Sequence, residues 1–110
     1  MTAEEKIHCA VADYLRQTNT SAVWFHPANG GKRNVIEAKK LKRMGVLPGV
    51  SDFIFLKDGQ AFALELKSDE GRLTPKQSEF LERWQDSGGE SAWTKGIDSA
   101  IAMLKHWEIV

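Results

Sequence analysis

The sequence predicts an α/β fold: a mixed β-sheet built on a central hairpin and flanked by α-helices. Three observations predict it. Asp58-Gly59 lies between two apolar runs, a strong hairpin signal, because both turn positions need the positive φ that Asp and Gly tolerate. The runs are apolar on both faces, with Phe53 and Phe55 on one side of the first strand and Ile54 and Leu56 on the other, so helices should cover both sides of the sheet. Amphipathic helical patterns flank the hairpin in the order α, β, basic α, β-hairpin, α, β, α.

Residues 3–17 read as a helix, with Ile7, Ala10, Val11, Tyr14 and Leu15 at helical spacing. Thr2 is its N-cap, and Glu5, three residues on, completes a capping box. Glu4 and His8 share a row with Val11 and Leu15 along the border of the buried face. They look toward whatever the helix packs on, although ordinary flanking polarity is the simpler account of them. Asn19-Thr20-Ser21 is a turn, and Ala22 to His26 is a strand ended by Pro27. Asn29-Gly30-Gly31 is a flexible connection suited to close backbone approach. Asn34 to Met44 reads as a short basic helix. The hairpin strands are Asp52 to Lys57 and Gln60 to Ser68, with Gly71 ending any extension of the second. Thr74-Pro75-Lys76-Gln77 supplies an N-cap, a proline at N1 and a glutamine at N3. Phe80, Leu81 and Trp84 form that helix's apolar face, and Gly88-Gly89 ends it. Gln77 shares the side of Leu81 and Trp84, so it looks inward as well as capping. Ser91 to Lys95 is a short strand, and Gly96 opens a last helix packed through Ile97, Ala100, Ile101, Leu104 and Trp107.

The 110 residues suit one domain, 1–110, with one core. At 42% hydrophobic and 27% charged, the composition is that of a globular protein. No apolar run approaches a membrane span, and the polar N-terminus is unlike a signal peptide. Cys9 is the only cysteine, which excludes an intrachain disulfide and fits a reducing compartment. The formal net charge is zero, so bulk charge announces no nucleic-acid partner. Its distribution is less even. Lys32, Arg33, Lys39, Lys40, Lys42 and Arg43 crowd one short segment against a single acid, Glu37. That patch suits phosphates, and a solvated helix face explains it as readily.

Asp52, Glu65 and Lys67 carry the chemistry. A hairpin folded at Asp58-Gly59 pairs residues whose numbers sum to about 117, so Asp52 faces Glu65 across the ladder. Two carboxylates side by side raise each other's pKa unless a cation sits between them. Oxygen-only ligands suit Mg²⁺ or Mn²⁺, and the backbone carbonyl of Leu66 offers a third oxygen. Lys67 points to the same face as Glu65, where it can orient or deprotonate water or stabilise charge on a phosphate. Together these groups suit phosphodiester hydrolysis. The bland alternative is a structural Glu65–Lys67 pair with Asp52 capping a turn.

Pro48-Gly49-Val50-Ser51-Asp52 followed by Glu65-Leu66-Lys67 resembles the PD-(D/E)xK nuclease signature. With Asn29-Gly30-Gly31-Lys32-Arg33, the Gly45-Val46 approach and Gln77, nearly the whole chain resembles the virus-type replication-repair nuclease (VRR-NUC) family. Ser51 departs from the usual proline, which changes the entry to the strand and not the chemistry. The resemblance implies a restriction-endonuclease-like core and a metal-dependent DNA endonuclease. Asp52 and Glu65 would hold Mg²⁺, with Mn²⁺ able to substitute, Lys67 would assist the attacking water, and Gln77 would line the site. The first helix would contribute Glu4 or His8; the register does not choose between them. Lys32, Arg33, Lys39, Lys42 and Arg43 would contact phosphates. Stand-alone relatives imply a homodimer resolving branched DNA such as Holliday junctions in DNA repair, in a cytoplasmic, bacterial or phage-type setting. The alternatives are a monomeric flap or nicking nuclease and a catalytically silent DNA-binding module of the same fold.

Overall fold

A computed structural model describes residues 1–28 and 34–110. Asn29-Gly30-Gly31, Lys32 and Arg33 therefore lie outside the described residues. The elements run α1 (Ala3–Thr18), β1 (Val23–Phe25), α2 (Val35–Arg43), β2 (Phe53–Lys57), β3 (Gln60–Lys67), α3 (Pro75–Asp86), β4 (Glu90–Lys95) and α4 (Gly96–His106). This is the expected order. The sheet order is β1-β2-β3-β4, antiparallel across the first two pairs and parallel between β3 and β4. The parallel step needs a crossover, and α3 supplies it.

Local chemistry sets most boundaries. Thr2 and Glu5 form a reciprocal capping box on α1, and Asn19 closes that helix in the left-handed conformation. Thr74 and Gln77 do the same at the start of α3, with Pro75 in the first turn. Asn34 caps α2 by accepting from the Glu37 amide. At the hairpin turn, Asp58 and Gly59 have φ of 51° and 77°, the double positive φ that matches the twist of the strands. The register pairs Phe53 with Leu64 and Lys57 with Gln60, as the turn requires.

The sheet separates two cores. On one face, α1 and α4 bring Val11, Leu15 and Leu104 against Phe53, Phe55, Leu64 and Leu66. On the other, Phe80 and Leu81 of α3 pack on Ala63, with Ile54 and Trp84 at the margin. The expectation that both faces of the hairpin are buried holds only in part at Ile54, which is half-buried, and fails at Leu56, which is 52% exposed. A 12-residue α3 roofs only the β3 side of that face. Val23 and Phe25 of β1 stay exposed beside Leu56 for the same reason. β1 is also shorter than Ala22 to His26, since only three of its residues find partners on β2.

Helix α2 has no buried residue, and it packs on none of the other described elements. Its own Val35 and Ile36 face outward, Ile36 at 82% exposure. The loop from Pro48 to Ser51 is fixed tightly. Gly49 has φ of 82°, and a Cβ there would lie 2.5 Å from the Lys76 backbone. Glycine lets this loop press against the first turn of α3, which brings the start of β2 beside Gln77. Among the described residues, no helix is long and apolar enough to cross a membrane.

Candidate active site

The charged cluster sits where β2 begins and β3 ends. Continuing the β2–β3 register one step past Phe53–Leu64 places Asp52 opposite Glu65, as the hairpin arithmetic requires. Asp52 is oriented by the backbone: the Leu66 amide donates to its Oδ2 at 2.7 Å. A strand residue's N–H and C=O leave on the same edge, so the Leu66 carbonyl is also on the Asp52 side.

Glu65 is only 3% exposed and Lys67 only 6%. Lys67 Nζ lies 3.7 Å from Glu65 Oε2, and Gln77 Nε2 donates to the same oxygen at 3.1 Å. Gln77 thus performs both tasks open to it, since its Oε1 accepts from the Thr74 amide while its Nε2 reaches Glu65. Burial, then the adjacent Asp52 carboxylate, push the Glu65 carboxyl up to about 8, against a smaller opposing pull from Lys67. A carboxyl so raised prefers its proton at neutral pH unless positive charge arrives. Paired acids with an oxygen-only donor set fit a hard divalent cation, which would restore the charge that burial disfavours. Asp52, Glu65 and the Leu66 carbonyl are the groups that would hold it.

Both first-helix candidates are nearby. His8 Nδ1 is 3.7 Å from Asp52 Oδ1, and its ring stacks on Phe53 with centroids 4.5 Å apart. Burial lowers the His8 pKa, the nearby His26 lowers it further, and Asp52 pulls it back up. Glu4 sits by the Lys67–Gly71 corner, where its Oε2 would be 3.1 Å from a Cβ built on Gly71. Its charge adds to the upward push on Glu65. Glu4, His8, Asp52 and Leu66 line one open cavity of about 570 Å³.

Sequence reasoning missed His26, which lines the same cavity. Its Nδ1 lies 2.7 Å from the Asp52 carbonyl, and its ring meets His8 edge-on at 4.4 Å. The signal for it was the β1–β2 register, which pairs Phe25 with Ile54 and so carries His26 to the level of Phe53. No turn joins β1 to β2, and nothing local in the sequence sets that register.

The basic residues are less concentrated around the carboxylates. Lys39, Lys42 and Arg43 are exposed on α2. Lys42 faces α3 across a groove of about 370 Å³ that Lys76 and Arg83 also line. Lys32 and Arg33 fall outside the described residues.

Fold and carboxylate arrangement together define a nuclease-type α/β domain. The sequence signature of the VRR-NUC domain matches residues 6–98, and the chain belongs to that family. Solved structures agree in fold. A VRR_NUC domain protein superposes with a TM-score of 0.79 at 22% identity, over 99% of this chain and 91% of the other. A second structure, a VRR_NUC domain, gives a TM-score of 0.66 at 14% identity, over 97% and 99% of the two chains. No curated protein matches the chain.

Proposed function

We propose that this protein is a Mg²⁺-dependent DNA endonuclease in which Asp52, Glu65, Lys67 and Gln77 form the active site of a single domain spanning residues 1–110. The observation that carries the reading is the buried Glu65 carboxyl, in contact with Asp52 and approached by both Lys67 and Gln77. A fold has little use for a buried acid beside a second, half-buried one that repels it, and a cation-dependent hydrolase needs them.

A divalent cation held by Asp52, Glu65 and the Leu66 carbonyl would polarise the scissile phosphate and acidify an attacking water. The chain's own groups do the rest. The Leu66 amide and Gln77 each fix one carboxylate oxygen, so the acids need not reorganise when substrate arrives. Lys67, beside Glu65, orients the water and accepts or shares its proton. The water oxygen bonds to phosphorus as the bond to the leaving sugar oxygen breaks; that oxygen takes a proton from bulk water, which receives the one shed by the attacking water through Lys67. Glu4 and His8 border the cavity through which phosphate and water enter. Lys32, Arg33, Lys39, Lys42 and Arg43 contact the flanking phosphates.

The preferred substrate in this reading is branched DNA, cut by a homodimer that sets two sites on opposed strands. Two surfaces favour a dimer: the uncovered sheet face of Val23, Phe25 and Leu56, and the outward Val35 and Ile36 of α2. A panel of linear, flapped, forked and four-way DNAs, incubated with Mg²⁺ or Mn²⁺, tests the proposal. Wild type should cut the branched forms, and Asp52→Ala should bind them without cutting. A wild type that binds every substrate yet cuts none with either metal would leave only a DNA-binding module.

A further inference from the structure

His8 and His26 add something that the oxygen-only reading does not use. Among the described residues, His8, His26 and Asp52 form a group in which a donor atom of each lies within 4.8 Å of the others. They come from three separated parts of the chain, α1, the end of β1 and the start of β2, so no local sequence pattern explains their meeting.

Each member is already partly oriented by a neighbour. A carbonyl only accepts, so the 2.7 Å contact with the Asp52 carbonyl puts the His26 ring proton on Nδ1 and leaves the lone pair on Nε2. Imidazoles that bind metals are held in this way, with the second nitrogen donating to a backbone carbonyl or carboxylate. His8 is held by its stack on Phe53, with Nδ1 facing Asp52 Oδ1 at 3.7 Å. Asp52 uses its two oxygens differently, since Oδ2 accepts from the Leu66 amide while Oδ1 faces His8. Donors around a tetrahedral ion with bonds of about 2.1 Å stand about 3.4 Å apart. The His8–Asp52 pair is near that separation, and the exposed His26 is the member with room to close on it.

We propose that His8, His26 and Asp52 form a second cation site, selective for borderline metals such as Co²⁺, Ni²⁺ and Zn²⁺ over Mg²⁺. It shares Asp52 with the hard-cation site at Glu65 and opens into the same cavity. Imidazole nitrogen favours these ions, whereas Mg²⁺ prefers oxygen and its own water. The proposal rests on the nuclease reading only in sharing Asp52, and its test needs no DNA.

The test titrates chelator-stripped protein with Co²⁺ alone, followed by visible absorbance, alongside circular dichroism to confirm folding. Wild type should develop the absorbance of nitrogen-coordinated Co²⁺. His26→Gln should weaken Co²⁺ binding at least about tenfold, the smallest loss that removing even an outer partner of a metal site gives. Glu65→Gln should keep the Co²⁺ spectrum while losing Mg²⁺ binding measured by calorimetry. His8→Gln should behave as His26→Gln; if loss of the Phe53 stack unfolds it, His26→Gln at its exposed position decides alone. An unchanged Co²⁺ affinity and spectrum in His26→Gln overturns the proposal. The two readings separate cleanly. A wild type that cuts no DNA but gives these spectra loses the nuclease assignment and keeps the histidine site, and a DNA-cutting protein without the His26 effect does the reverse.

Discussion

Glu65 couples the site to pH. Its carboxyl titrates at about 8 in the folded chain and near 4.5 when unfolded, so the folded state holds an extra proton between those values. Unfolding then releases that proton, and stability falls as pH rises through the window. The Glu65 contribution should therefore lower the melting temperature of chelator-treated wild type progressively from pH 4.5 to 8, while His8, whose pKa burial lowers, works the other way near pH 6.5. Glu65→Gln should flatten the Glu65 contribution to that slope, and saturating Mg²⁺ should reverse the wild-type trend above pH 7. Thermal melts by circular dichroism read all three. Gln77 offers a finer probe, because its two roles can be separated. Gln77→Glu keeps a capping-box side chain on Thr74 but puts another acceptor against Glu65. Gln77→Ala keeps the Thr74 cap but loses the bond from the Thr74 amide to the Gln77 side chain, costing about 1 kcal/mol more at pH 5, where acid repulsion is weakest. Urea denaturation at pH 5 and pH 8 distinguishes the two variants.

At the scale of elements, what was legible follows the reach of each signal. The hairpin register was readable because Asp58-Gly59 fixes it locally, and Asp52 opposite Glu65 followed from that one turn. Both capping boxes were readable for the same reason. The exposure of Leu56 was not, since it depends on how far α3 reaches across the sheet. His26 was not, since its neighbours belong to α1 and β2, distant in sequence. The Pro48–Ser51 loop shows a constraint that the motif alone does not state. Gly49→Ala places a methyl 2.5 Å from the Lys76 backbone at a positive φ. We expect a loss of about 2 kcal/mol or more, read in urea, together with weaker Mg²⁺ binding as Asp52 shifts away from Glu65. Helix α2 is the opposite case. Val35→Ser with Ile36→Ser should change monomer stability by no more than about 0.5 kcal/mol, because neither side chain is buried. If the proposed dimer uses this face, the same double variant should elute as a monomer in light-scattering chromatography. An unchanged dimer would move the interface to the β1 side.

For the whole molecule, the residues after α4 close on the middle of the chain. Ile109 is buried in the larger core, its carbonyl accepts from Thr20, and the Glu108 carbonyl accepts from Lys57. The last residues thereby tie the turn after α1 to the far end of β2. Strand β3, which carries Glu65 and Lys67, lies inside the sheet and bonds to a neighbour along both edges. β1 is three residues long and bonds along one edge only. This arrangement sets a hierarchy of opening times. Amides of β3 should exchange with deuterium only through global unfolding, whereas those of β1 and α2 should exchange through smaller, more frequent openings. Hydrogen exchange followed by mass spectrometry should find the carboxylate-bearing strand the slowest segment of the protein. An ion that gathers His26 to α1 should slow β1 by holding it to its neighbours, and should slow β3 only by as much as binding to the folded state raises the global unfolding free energy. Chemistry and capture would then run on separate clocks: a still strand that holds the acids, and a looser rim that admits the substrate.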